Sequence, residues 1–195
     1  MTESAIVLGQ VPSEIQIEHS LQAPQRSGVL VSYLLFDKRR CQHAQSKIYG
    51  KQIQKVYDDV GIEICDINPP HQVRDAITHR INDKLNLGYI RIDDVITEKE
   101  LMDIVTDLQK EHCDMLYADI NLHRIEEIDA VISLLNIHGF FYSGVLFSYY
   151  DSEDYLRLQR KNTKSMEEEQ LVCYSRNAQQ MLAFIREDKA RIKAL

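Results

Sequence analysis

Hydrophobic and polar positions along the first third of the chain predict a strand, a helix and a second strand. Residues 28–36 form a nearly continuous apolar run that ends in Asp-Lys-Arg-Arg, which predicts a strand buried on both faces. Between residues 41 and 60 apolar side chains recur at helical spacing and predict one helix, which Gly61 ends. Residues 62–67 alternate apolar and acidic side chains and predict a half-buried strand that stops before Pro69.

The next segments predict two strands and a capped helix. Residues 73–81 alternate well enough for a strand, and a short helix over residues 72–82 is the alternative. Residues 87–95 show the clearer strand pattern. Thr97 followed by Glu100 is a capping-box signature, and apolar residues at helical spacing come after it. A helix is therefore predicted to begin at this point.

Residues 114–161 predict strand, helix, strand, turn and strand in one unbroken run. Residues 115–122 form a short, mainly apolar run with polar residues toward its end, which is typical of a buried strand. Isoleucine and leucine side chains then recur at helical spacing over residues 125–135, after two glutamates that suit the first turn of a helix.

The end of this run carries its own stop and start signals. Gly139 stands where a glycine commonly ends a helix. Residues 140–148 are aromatic and β-branched enough to resume a strand. Asp-Ser-Glu-Asp at 151–154 supplies a turn, and residues 155–161 are predicted to pair back as a hairpin.

The two ends of the chain lack the patterns of the middle. Residues 1–27 hold two of the four prolines and predict an arm that either contributes a short strand at residues 5–8 or is mobile. The C-terminal region predicts a polar linker, an edge strand and an amphipathic helix, at residues 162–170, 171–174 and 176–193. The chain thus divides into an arm, a core and a C-terminal region, at residues 1–27, 28–161 and 162–195.

Length, charge and cysteine usage restrict the class of protein. A chain of 195 residues suits one domain with a full core. The net charge of −7 argues against nucleic acid or an anionic membrane as a partner. There is no long apolar run and no signal-peptide pattern, so a cytoplasmic protein is expected. The four cysteines are widely spaced, without CxxC or histidines at zinc spacing, which predicts free thiols and no metal site.

The order of predicted elements and two sequence strings resemble a known superfamily. The Gly-Phe pair at 139–140 follows the last core helix, and the strings are KIYGKQIQKVYDDVGI and GFFYSGVLFSYYDSEDYLRLQRK. They resemble the GNAT superfamily of acyl-CoA N-acyltransferases, and most closely the GNAT-like domains appended to bacterial anti-sigma-type ATPase and sensor proteins. The resemblance implies an α/β fold with a GNAT-like mixed central sheet flanked by helices, plus an appended C-terminal strand and helix.

The resemblance also implies a coenzyme site. In the family, a glycine-rich turn after the fourth strand lets backbone N–H groups approach the coenzyme A pyrophosphate. The corresponding residues that would bind acetyl-CoA or another acyl-CoA are Ile92, Asp93, Asp94, Val95 and Thr97. This stretch contains no glycine, and its carboxylates equally suit a capped helix start without any ligand.

Candidate catalytic residues follow from the same resemblance. The family often places a proton-donating tyrosine four residues before the glycine of Gly-Phe, and Leu135 stands at that position here. Tyr155 is the candidate that replaces it, with core packing as the alternative. Asp119 and His123, at and beyond the end of the fifth strand, are the candidate general base pair, since an imidazole suits deprotonation of an amine. A strand end and a solvated loop are the alternative interpretation of that pair.

Two functional hypotheses remain open at this point. The first is an acyl-CoA-dependent N-acyltransferase with a degenerate coenzyme site, acting on a small amine. The second is a non-catalytic GNAT-like regulatory module in bacterial signalling that binds a partner protein or a small ligand. Under either hypothesis, the C-terminal helix at 176–193 docks on its own chain or forms a homodimer contact. An α/β domain of unrelated topology is the third reading. Free backbone N–H groups at residues 95–97 would favour the first hypothesis, and capped ones the second.

Overall fold

The computed structural model describes residues 2–11, 27–34, 39–65, 75–162 and 171–195. The strands within these ranges are β1 (Thr2–Val11), β2 (Ser27–Tyr33), β3 (Arg40–Gln42), β4 (Glu63–Cys65), β5 (Ile77–Asn82), β6 (Leu87–Ile92), β7 (Met115–Asn121), β8 (Phe141–Tyr150) and β9 (Glu153–Lys161). The helices are α1 (Gly50–Val60), α2 (Glu98–Lys110), α3 (Ile128–Ile137) and α4 (Arg176–Lys193). The predicted linker after residue 162, the proline break and most of the N-terminal arm lie outside the described residues.

The described strands form one mixed sheet and one small parallel pair. The sheet has seven strands in the order β2-β1-β8-β9-β7-β6-β5, and β3 pairs with β4 separately. Within the sheet β6 and β7 are parallel, because α2 crosses over between them, and the other neighbours are antiparallel. The predicted α/β class with a mixed sheet and helices is confirmed, while the GNAT fold itself stays a prediction.

Helix α2 lies close against the face of the sheet that β6 presents to it. A Cβ atom at Gly88 would come within 2.8 Å of a Leu116 methyl group and 3.1 Å of the Leu108 methyl groups, so a larger residue there would make these side chains shift. Every residue of β7 is buried, which places β7 at the centre of the fold. The capping box predicted at Thr97 and Glu100 is confirmed at the start of α2.

Polar side chains of β7 and β9 hold the backbone of the N-terminal strand β1. Tyr117 donates a hydrogen bond to the carbonyl of Leu8, and Gln159 accepts one from the Leu8 N–H at 2.8 Å. Residues 5–8 are buried in the core. The strand alternative for this segment is confirmed, and β1 is longer than predicted because it pairs with both β2 and β8.

Three predictions about the elements are wrong. β2 is an edge strand with Leu30 43% exposed, so it is not buried on both faces, because only β1 pairs with it. The first helix begins at Gly50 and not at residue 41, since Cys41 pairs with Ile64 in the parallel β3–β4 ladder. Residues 171–174 form no strand.

The C-terminal helix α4 has the predicted bounds and docks on its own chain. It packs against β8 and β1. Asp188 accepts a hydrogen bond from the Tyr142 N–H at 2.8 Å, and the Phe184 ring lies 5.2 Å from the Tyr142 ring. A homodimer contact stays a prediction. None of the helices in the described ranges combines the length and the apolar character that a membrane crossing requires.

Candidate functional site

The turn between β6 and α2 is the predicted coenzyme site, and its carboxylates occupy its own backbone amides. Asp94 accepts a hydrogen bond from the Val95 N–H at 2.7 Å. Glu100 accepts from the Thr97 N–H at 2.8 Å, and the Glu100 N–H donates to the Thr97 hydroxyl. A pyrophosphate at this turn would therefore have to displace the chain's own carboxylates from two of its amides.

Strand β6, which leads into this turn, stays paired with its parallel neighbour β7 up to its last residue. β6 and β7 stay in register from Leu87 opposite Met115 to Ile92 opposite Ile120, without a shift. The Asp93 N–H continues the pairing on the other side by donating to the Ala76 carbonyl at 2.8 Å. The ladder between β6 and β7 therefore continues unbroken to the end of β6.

Tyr155, a predicted proton donor, lies in a buried network with Asp93 and Asn121. Its hydroxyl donates to Asp93 Oδ1 at 2.7 Å, and Asn121 donates to the same oxygen at 2.8 Å. Burial and then the hydrogen bond to Asp93 raise the pKa of Tyr155 well above its ordinary value. The phenol therefore holds its proton in place, and the network fixes the end of β7 against β6 and β9.

Asp119, a predicted member of the base pair, is engaged elsewhere. Its two oxygens accept hydrogen bonds from Arg157 at 2.6 and 2.7 Å, and both side chains are buried. The Arg157 guanidinium also lies 5.2 Å from the ring centre of Tyr117 and 5.6 Å from that of Tyr89. Asp119, Tyr155 and His123 thus each have their own partners, and the structure does not assemble them into one catalytic centre.

His123 lies in a corner where three distant segments meet, which we call the Cys–His–Asp corner (Cys41, His123 and Asp154). His123 Nε2 is 3.4 Å from Cys41 Sγ and 3.5 Å from Asp154 Oδ2. Cys41 Sγ is 3.5 Å from the same carboxylate oxygen. Cys41 and Asp154 are buried, whereas the His123 side chain is 23% exposed. The corner therefore reaches solvent through the imidazole.

Backbone hydrogen bonds hold the three segments of the corner together. The Leu122 N–H, just after β7, donates to the Asp154 carbonyl at 3.0 Å. The Ala44 N–H, just after β3, donates to the Leu122 carbonyl at 3.1 Å. The end of β7 thus lies between β3 and the start of β9, and this fixes the spacing of the three side chains.

Asp154 is held by more groups than its two corner neighbours. Arg39 donates to both carboxylate oxygens, at 2.8 and 3.0 Å. The Tyr57 hydroxyl donates to Oδ2 at 2.9 Å, and the Ser148 N–H donates to Oδ1 at 2.8 Å. Burial raises the pKa of Asp154, but contacts with His123, Ser148 and Arg39 outweigh it and lower the pKa to about 2. The carboxylate is therefore ionised at neutral pH.

The thiol and a second histidine complete the chemistry of the corner. Burial, followed by the charge of Asp154, raises the pKa of Cys41 to about 12, so the neutral thiol predominates at pH 7 and is a weak nucleophile. His43 is buried and its ring lies 4.9 Å from that of Tyr57. Its Nε2 atom has no hydrogen-bond partner among the described residues.

A separate cavity of about 770 Å³ lies between α2, α3 and α4. Four basic side chains line it, Arg160, Lys161, Lys189 and Lys193. Apolar side chains line the rest, including Met102, Ile137 and Phe141, and none of the described lining residues is acidic. In a chain of net charge −7 this is a local basic and apolar surface.

The chain matches no protein-family model, no curated protein and no solved structure. The sequence pattern predicts a site role for His123 but none for Cys41 or Asp154. The contacts of Cys41 with His123 and Asp154 span 82 and 113 residues, so no local spacing could reveal them. The cysteine at position 41, two residues before His43, falls within the pattern that predicts a helix, whereas in the structure it lies in the extended β3 strand.

Proposed function

We propose that this protein is a GNAT-like α/β module that binds a partner protein in bacterial signalling and does not transfer acyl groups. The occupied amides at the β6–α2 turn carry this proposal. Each carboxylate about 5 Å from a bound pyrophosphate would oppose binding by about 1–3 kcal/mol at an effective dielectric constant of about 20–80. The turn also gains helix-capping stability from the same contacts, which a ligand would have to replace.

The cavity between α2, α3 and α4 is the surface best suited to a partner. Its four basic side chains favour an acidic peptide segment, and its apolar lining favours a hydrophobic side chain within that segment. Its volume of about 770 Å³ is within the range of ligand-binding pockets, which is about 300–1,000 Å³. An acidic segment with an interspersed apolar residue is the partner chemistry that these features favour.

An acyl-CoA-dependent N-acyltransferase acting on a small amine is the second candidate. The order of elements from β5 to β9, with the Gly-Phe pair directly before β8, favours it. Catalysis in this form requires the β6–α2 turn to release at least the Val95 and Thr97 amides. It also requires a proton donor other than Tyr155, whose hydroxyl is bound to Asp93.

A thermal-shift titration with acetyl-CoA, a longer acyl-CoA and free CoA separates the two candidates. A ligand at ~100 times its dissociation constant adds about 2.7 kcal/mol of stability, which raises the midpoint by roughly 5–10 °C for a chain of this size. We expect no shift at millimolar ligand. A saturable shift that persists in Arg160→Gln would place coenzyme outside the cavity and contradict the non-catalytic proposal.

Peptide binding tests the partner directly. A fluorescently labelled peptide of alternating glutamate and leucine is titrated with the protein while anisotropy is measured at low and high salt. We expect binding that weakens with salt and is lost in Arg160→Gln with Lys193→Gln, but not in Lys110→Gln on the exposed surface of α2. Equal binding by all three proteins would refute the cavity as the partner site.

A further inference from the structure

The Cys–His–Asp corner has a geometry that its hydrogen bonds do not fully explain. The three side-chain atoms form a nearly equilateral triangle with edges of 3.4, 3.5 and 3.5 Å. The His123–Asp154 edge of 3.5 Å is too long for a good N–H···O hydrogen bond. Asp154 is satisfied by Arg39, Tyr57 and Ser148 without either neighbour. Hydrogen bonds of the Cys41 thiol account for two of the edges, and they leave the third edge, between His123 and Asp154, unexplained.

Zinc coordination supplies that spacing. Zinc binds sulfur at about 2.3 Å and nitrogen or oxygen at about 2.0–2.2 Å in a tetrahedron, so its ligand atoms lie roughly 3.3–3.8 Å apart. All three edges of the corner fall within this interval. One metal ion just off the plane of the triangle, near its centre, would lie at ligand distance from Cys41 Sγ, His123 Nε2 and Asp154 Oδ2.

We propose that Cys41 Sγ, His123 Nε2 and Asp154 Oδ2 bind one zinc ion, with the fourth coordination position open to water or a ligand. The mixed sulfur, nitrogen and oxygen donor set suits zinc better than magnesium or calcium, which prefer oxygen alone. Three protein ligands with one open position is the arrangement of reactive zinc sites. This inference goes beyond the proposed partner binding and does not depend on it.

The residues around the corner fit the role of an outer coordination layer. Tyr57 and the Ser148 N–H orient the Asp154 carboxylate, as hydrogen bonds to ligating carboxylates do in metal sites. The buried His43 Nε2, which lacks a partner among the described residues, follows Cys41 by two positions. The His43 backbone N–H continues the β3–β4 ladder by donating to the Cys65 carbonyl. The side chains of Cys41 and His43 therefore lie on the same side of the strand.

Zinc binding would displace one proton from Cys41 and the Arg39 guanidinium from Asp154. Cys41 binds as a thiolate, so one proton leaves the thiol for solvent as the sulfur–zinc bond forms. Asp154 is already ionised, and His123 coordinates through a neutral nitrogen. The Arg39 guanidinium opposes the metal charge, but its side chain is 33% exposed and can turn toward solvent while Asp154 keeps its other donors.

Metal titration of the full chain, stripped with a chelator, tests the site. Cobalt(II) is the probe for geometry, and zinc competition against a chromophoric chelator gives the affinity. We expect one metal per chain, a thiolate-to-cobalt absorption band, tetrahedral d–d intensity and release of about one proton per metal. Wild-type protein without a thiolate band, or with no binding tighter than the chelator, would overturn the proposal.

Matched variants locate the metal. Cys41→Ser and His123→Ala each remove one metal ligand. Tyr57→Phe changes only a residue that hydrogen-bonds a ligand and should weaken the metal affinity by ~10–100-fold. The two ligand variants should weaken it by more than that. Cys173→Ser, at a cysteine outside the corner, should bind as the wild type does. His123 is partly exposed, so His123→Ala remains informative if Cys41→Ser does not fold. Unchanged affinity in folded His123→Ala would refute the assignment.

Discussion

The β6–α2 turn and the Cys–His–Asp corner lie beyond neighbouring parallel strands, yet they use polar groups in opposite ways. At the turn, Asp94 and Glu100 bond amides one and three residues away, and these side chains face solvent. At the corner, the polar side chains come from segments separated by 82 and 113 residues, and two of the three are buried. At the turn, helix capping explains the pairing of Thr97 with Glu100, and the Asp94–Val95 contact is a local one between sequence neighbours.

Burial makes the corner the more informative of the two regions. A buried polar group destabilises a fold unless it is paired, so buried clusters are satisfied or serve a function. Next to the corner, His43 Nε2 and Arg39 Nε are buried without a hydrogen-bond partner among the described residues. The turn pairs its Val95 and Thr97 amides with its own carboxylates, whereas these buried nitrogen atoms beside the corner stay unpaired.

Removal of the Asp154 carboxylate should have the largest effect. Asp154→Ala leaves the Tyr57 hydroxyl, the Ser148 N–H and part of Arg39 without their acceptor in a buried place. We expect the free energy of unfolding to fall by about 3 kcal/mol, measured by urea denaturation. Asp103→Ala, on the exposed side of α2, is the control. A loss of stability no larger than that of Asp103→Ala would show that Asp154 does not stabilise the fold.

Acid should weaken the corner as the pH falls below about 4. The pKa of Asp154 is lowered from 3.8 to about 2 in the folded chain, so its contribution is fully present above about pH 4 and is lost as the pH falls toward 2. This linkage corresponds to about 2 kcal/mol. Urea midpoints measured between pH 5 and pH 2 should fall less steeply in Asp154→Asn than in wild type. Parallel curves would contradict the assignment.

The contrast between local and distant contacts also explains which features the sequence predicts. Thr97 with Glu100, Gly61 and Gly139 are local signals, and each one marks a helix end in the structure. The exposed β2 and the late start of α1 could not be predicted, because strand neighbours decide the burial of an apolar run. Cys41 belonged to a plausible helical pattern, and only pairing with β4 shows that it is extended.

Loss of the helix cap should have a smaller effect, confined to the turn. Thr97→Ala removes the hydroxyl that accepts the Glu100 N–H, so the start of α2 loses its side-chain cap. We expect a loss of about 1 kcal/mol in the free energy of unfolding. Thr97→Ser retains the hydroxyl and should restore most of it. Cobalt binding at the corner should be the same in both variants, and a change there would show that the two regions are coupled.

Asp94→Ala should change stability least and yet decide whether the turn retains a latent coenzyme site. Asp94 is exposed, and its substitution should alter the free energy of unfolding by no more than about 0.5 kcal/mol. It frees the Val95 N–H and removes one negative charge, while the Thr97 N–H stays bound to Glu100. We therefore expect no thermal shift with acetyl-CoA, as in Asp103→Ala, which removes an equal charge from the exposed side of α2. A saturable thermal shift in Asp94→Ala, but not in Asp103→Ala, would contradict this expectation. It would mean that the Asp94 carboxylate alone keeps coenzyme from the β6–α2 turn, and that the paired strands β6 and β7 do not prevent its binding.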